Sequence, residues 1–124
     1  MSEFSSTNRK SISAFRIALV VVYFMLSIIG LIGTWYFNLL FFQTNSDLSY
    51  LEAWFVNPAS SSAAVDIIVV AVMASVFMLV EGWRLRIRWT WGLVPLSFII
   101  ALAFTFPFFL AVREIRIILL ARER

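Results

Sequence analysis

Three stretches of this chain are apolar over the length of a membrane-crossing helix, and polar residues gather in the segments between them. Residues 17–37 are almost unbroken in this respect, and about 20 residues at 1.5 Å rise cross the hydrocarbon layer of a bilayer. The pattern predicts spans over 17–37, 58–82 and 91–112. Residues 1–15 read as a polar N-terminal tail and 113–124 as a charged C-terminal helical stub at the interface.

A cleaved signal peptide competes for the first run, since Arg9, Lys10 and Arg16 precede it. The run is too long for an h-region and no small-residue cleavage site follows, so we expect an uncleaved span ending in Trp35 and Tyr36 as interfacial anchors. Between the first two spans, Leu48, Leu51, Trp54 and Phe55 recur at helical spacing opposite Asp47, Ser49 and Glu52. That spacing predicts a short amphipathic helix over 47–56, lying in the interface. The second span opens on Asn57, a good N-cap, with Pro58 suited to the first helical position. Pro95 falls in the first turn of the third span, whereas Pro107 is interior and predicts a kink. The fold expected is all-α: a single membrane domain, a bundle of three transmembrane helices with an interfacial helix in the first loop.

Composition sharpens this. Of 124 residues 62% are hydrophobic and only 14% charged, too apolar for a soluble domain of this size to bury. The chain has no cysteine and no histidine. Disulfides, thiol nucleophiles, His-based metal sites and nucleophile–His triads are therefore excluded. No cofactor and no metal are expected.

The net charge is +3, but the basic residues sit beside the apolar runs, where charge sets membrane topology, and not on a face suited to nucleic acid. With the N-terminus inside, Arg9, Lys10, Arg16, Arg84, Arg86 and Arg88 would be cytoplasmic. Arg113, Arg116, Arg122 and Arg124 would be outside. This six-to-four bias predicts N-terminus inside and C-terminus outside.

Asp66 and Glu81 are the acids within the second span. A carboxylate at membrane depth calls for a partner. Fifteen residues separate the two, about 22 Å along a helix, so they cannot share a metal or form a general acid–base pair. Asp66 is expected to face the bundle, either as a polar pin fixing helix register or as a binding group in a cavity. Its best partner is Arg113, reaching inward from the third span, with Tyr36, Asn38 and Thr105 as further donors. Glu81 is expected to pair with Arg84, three residues on, near Arg88. Glu81, Arg84, Arg86 and Arg88 also suit an anionic lipid headgroup or a partner. In the first span Ser27, Gly30, Gly33 and Thr34 share one side, fitting an oligomer seam or, as we expect, contact with the chain's own helices. Small residues around the second span suit a position in the middle of the bundle.

The segments TWYFN at 34–38, NPASSSAAVD at 57–66, VEGWRLRIRW at 80–89 and PLSFIIALAFTFPFFLAVRE at 95–114 follow one another in an order that resembles a family of small bacterial membrane proteins. That family is known only as a domain of unknown function, number twenty-eight thirty-four. The resemblance implies a compact helical membrane domain and carries no catalytic residue with it. The function expected is non-enzymatic: a membrane component packing with itself or with a larger complex. The alternative is a binder of lipid or a small hydrophobic ligand, or an oligomeric transporter, with Asp66 lining an intramembrane cavity. A lipid or isoprenoid enzyme using Asp66 stands third.

Overall fold

In the computed structural model the backbone is described for residues 2–44 and 47–123, and side chains for 6, 9–11, 13–44 and 47–123. The elements are α1 (Ser2–Gln43), α2 (Tyr50–Trp54), α3 (Pro58–Arg84), α4 (Thr90–Ile99) and α5 (Leu102–Arg122). There is no strand among the described residues.

α1 is longer than the span expected at 17–37. The tail over 1–15 is helical from Ser2 onward, because no Pro or Gly interrupts it and adding residues to an existing helix is far easier than nucleating one. α2 is shorter than the expected 47–56. It starts on a capping box in which Ser49 Oγ accepts from the Glu52 amide while Glu52 accepts from the Ser49 amide. Tyr50 seats α2 on α1, its hydroxyl donating to Asn38 Oδ1 at 2.6 Å and its ring lying against Phe41. α3 opens as expected on Asn57, whose side chain accepts from the Ser60 amide, with Pro58 following.

The third span is where expectation and structure part. Residues 91–112 do not form one helix; they are divided between α4 and α5, with Ala101 extended at φ 174° and ψ 136°. The interruption is not at Pro107, which lies inside a continuous α5. The direction of each piece follows from its contacts. Thr90, opening α4, abuts Gly82 near the end of α3. Phe106 and Phe109 pack on Phe77, Arg113 reaches Glu81, and Arg116 reaches the Leu85 carbonyl, so α5 runs parallel to α3. Against α1 the order reverses: Arg16 meets Glu114, Phe24 meets Phe108, and Ser27 meets Phe104. Thus α4 and α5 form a helical hairpin that enters beside the end of α3 and returns to the same end. From Glu114 back to Leu102 it reaches about 18 Å, well short of the roughly 40 Å of the 27-residue α3.

Among the described residues two helices, α1 and α3, are long and apolar enough to cross a membrane, where three were expected. The expected placement of the C-terminal segment opposite the N-terminal one is also corrected, since Arg16 and Glu114 are paired at one end.

The hairpin is held by three devices from α1. Trp35 is not only an interfacial anchor: its indole N–H donates at 2.7 Å to the Ile100 carbonyl at the hairpin tip. Buried Ser27 donates to the Phe104 carbonyl at 2.9 Å. Gly30 lies so close to the Ala103 carbonyl that a Cβ there would collide with it. Pro107 explains why that carbonyl is free, having no N–H to give its i−4 acceptor. Within the hairpin, buried Ser97 and Thr105 share a 2.6 Å hydroxyl hydrogen bond, and Ser97 donates to the Leu93 carbonyl.

α5 is thus the helix surrounded on several sides, while α3 is not at the centre. The buried face of α3 is Ala64, Ala71, Ala74, Ser75, Met78 and Gly82, small residues that let the hairpin approach. Met78, Leu85, Ile87, Leu93 and Phe109 form the buried apolar core. It lies entirely in the half of the bundle that the hairpin fills.

Candidate functional site

At that filled end, five charged side chains from three helices form one continuous chain of ion pairs. Arg84 grips Glu81 with two hydrogen bonds, Nε to Oε1 and Nη2 to Oε2, each 2.9 Å. Arg113 Nε donates to Glu81 Oε2 at 2.9 Å and its Nη1 to Glu114 Oε1 at 3.2 Å. Arg16 Nη1 completes the chain on Glu114 Oε2 at 2.9 Å. The guanidinium of Arg113 also stands 5.7 Å from the centre of the Phe77 ring. Planar forked guanidiniums suit such bridging. Glu114 is only 5% exposed, a burial that two arginines make tolerable.

The Glu81–Arg84 pair was legible from spacing alone. Arg16 and Glu114 were not singled out. The available signal was that Glu114 is an acid amid the apolar and basic residues of the C-terminal segment. The expected Asp66–Arg113 pair is absent. Arg113 lies level with Glu81, about 22 Å along α3 from Asp66, and is occupied by two carboxylates. Asp66 is exposed and has no hydrogen bond or ion pair among the described residues. Its neighbours in the outward stripe, Val70 and Met73, are exposed with it. Asp66 therefore does not face the bundle: the small-residue face of α3 packs instead, and of Asp66's own stripe only Phe77 and Glu81, farther along, reach α5. The other donors proposed for Asp66 are engaged elsewhere or face outward: Thr105 with Ser97, Asn38 with Tyr50, and Tyr36 exposed.

Arg86 and Arg88 are exposed and pair with no carboxylate among the described residues. They project from the turn that ends α3. There the Ile87 amide bonds the Gly82 carbonyl at 2.7 Å and the Arg86 amide bonds the Trp83 carbonyl at 3.1 Å. This is a Schellman closure, with Arg86 at the left-handed position (φ 58°) that glycine usually takes. Two shallow grooves flank the turn, of about 430 and 320 Å³, and Asp66 lines neither. No cluster of three or more carboxylates able to hold a metal exists among the described residues. Among the described residues the site is a network of ion pairs flanked by two exposed arginines.

The class defined by fold and site is an all-helical protein with two membrane-length apolar helices clasping a shorter hairpin, locked by ion pairs at one end. The chain belongs to the family described as Protein of unknown function DUF2834, whose profile matches residues 22–115. No curated protein and no solved structure matches it significantly.

Proposed function

We propose that this chain is a non-enzymatic membrane component that docks, through the outward face of α3, against a helix of a different membrane protein. Asp66 carries the reading. It is an unpaired carboxylate on an otherwise apolar helix face of Val69, Val70, Met73, Val76 and Val80, all exposed, and such a residue calls for a partner in hydrocarbon.

The chain cannot supply that partner. Residues 17–83 contain no Lys, Arg or His, so a second copy in the same orientation brings only another carboxylate to that depth. All ten basic residues lie outside that stretch. With α1 and α3 as the spans and α4–α5 as a re-entrant hairpin, the nine among the described residues fall on one side, and charge bias makes it the cytoplasmic side. Copies then share one orientation. Of the two packing modes expected, assembly with a larger complex is favoured over self-assembly, and a cavity lined by Asp66 has no support.

The test is a photo-crosslinking residue at Met73 in native membranes. A heavier adduct with another protein is expected, retained in Asp66→Glu and strongly reduced in Asp66→Leu. Adducts with lipid or a second copy alone, or insensitivity to Asp66→Leu, would overturn the reading.

A further inference from the structure

We propose that the larger groove beside the α3–α4 turn is a binding site for one anionic phospholipid, with Arg86, Arg88 and Arg116 holding its phosphate. The groove, about 430 Å³, is lined by these three arginines together with Trp89, Val112 and Ile115.

Charge complementarity selects the ligand. At this end of the bundle Arg16, Arg84 and Arg113 are all committed to carboxylates. Arg116 spends its Nε on the Leu85 carbonyl at 3.1 Å, which aims its remaining N–H groups from a fixed position. Among the described residues Arg86 and Arg88 pair with no carboxylate. Three forked cations thus line one groove that has no acid in its lining, an arrangement matched by a phosphate. Of the arginines expected to bind headgroups, Arg84 drops out because Glu81 takes both faces of its fork, and Arg116 replaces it.

Position selects a lipid over a free anion. The groove lies where the apolar length of α3 ends, flanked by exposed Trp89 and Trp91, at the depth of headgroups. From the phosphate position an acyl chain can leave past Val112 along the hairpin. The backbone adds an independent sign. Arg86 holds a left-handed conformation that an L residue adopts at a cost, and glycine would close the same turn without it. That strain points to a role for the Arg86 side chain.

Native mass spectrometry of the full chain, delipidated and then presented with mixed phosphatidylglycerol and phosphatidylcholine micelles, tests this. Wild type is expected to retain one phosphatidylglycerol in preference to phosphatidylcholine. The Arg86→Gly/Arg88→Gln variant, whose turn glycine suits, should lose about thirtyfold in affinity. Arg9→Gln/Lys10→Gln, removing two charges from the same end, should lose no more than about threefold. Arg88→Gln alone gives an intermediate loss and leaves the Arg86 turn untouched. Equal losses in the two double variants, equal retention of both lipids, or displacement by millimolar inorganic phosphate would overturn the proposal.

Discussion

Arg16 and Glu114 are 98 positions apart in the chain and 2.9 Å apart in the fold. That contact ties the start of the first apolar helix to the returning arm of the hairpin. It is also the last link of a chain running through Arg113 and Glu81 to Arg84. Because every helix of the bundle's filled half except α4 contributes to it, its members should not be equivalent.

Removing one partner from a buried ion pair strands the other charge, at about 3–5 kcal/mol. Glu114→Gln leaves Arg16 without its acid and Arg113 with one, so a loss near 3 kcal/mol is expected. Arg84 is 60% exposed, and Arg84→Ala should cost less than about 1 kcal/mol. Unfolding by SDS in mixed micelles measures both. Equal costs would mean that the chain does not bear on stability.

The hairpin puts the N- and C-terminal segments on one side. The chain has no cysteine, so Ser11→Cys and Ala121→Cys serve as unique labels. A membrane-impermeant maleimide should modify both from the same side, and Thr44→Cys from the other. Labelling of positions 11 and 121 from opposite sides would restore a third span and remove the hairpin.

Gly30 and Gly33 belong to one small-residue stripe but differ in surroundings. A side chain at Gly30 meets the Ala103 carbonyl, which is backbone and cannot swing away, whereas nothing lies within 4 Å of a Cβ at Gly33. Gly30→Val should destabilise by about 1–3 kcal/mol. Gly33→Ala should be neutral or stabilise by up to about 1 kcal/mol. The same SDS titration checks both, and matching effects would contradict the α1–α5 packing.

Glu52 lies outside the membrane-length helices, and its carboxyl is held below the usual 4.5 chiefly by the Ser49 amide, then by the Ser49 hydroxyl. The folded value is the lower one, so the capping box contributes fully above 4.5 and is lost as pH falls through the folded value. In a ¹³C titration Glu52 should reach its midpoint below 4.5, with the Ser49 amide shifting in step. A midpoint at the unperturbed value, or a silent Ser49, would show the box to be unformed.

What was legible in the sequence follows from local rules. α1 and α3 are readable because a bilayer demands length and apolarity of any helix crossing it, and the start of α3 because Asn57, Pro58 and Ser60 form a cap among near neighbours. The third apolar run was misread because its length is the same whether it crosses or doubles back. No Gly or Pro marks Ile100–Ala101. The tip carbonyl is satisfied by Trp35, 65 positions away, so packing against α1 is what makes the break affordable. Asp66 was turned inward by the rule that membrane carboxylates face the bundle. The tertiary structure instead buries the small-residue face of α3, since close helix approach rewards Ala, Ser and Gly. Sequence alone determined two helices of membrane-crossing length and apolarity, the caps and the absence of basic residues over 17–83. The fold decided that the third run returns, so that Arg113 meets Glu81 and Arg16 meets Glu114 at one end.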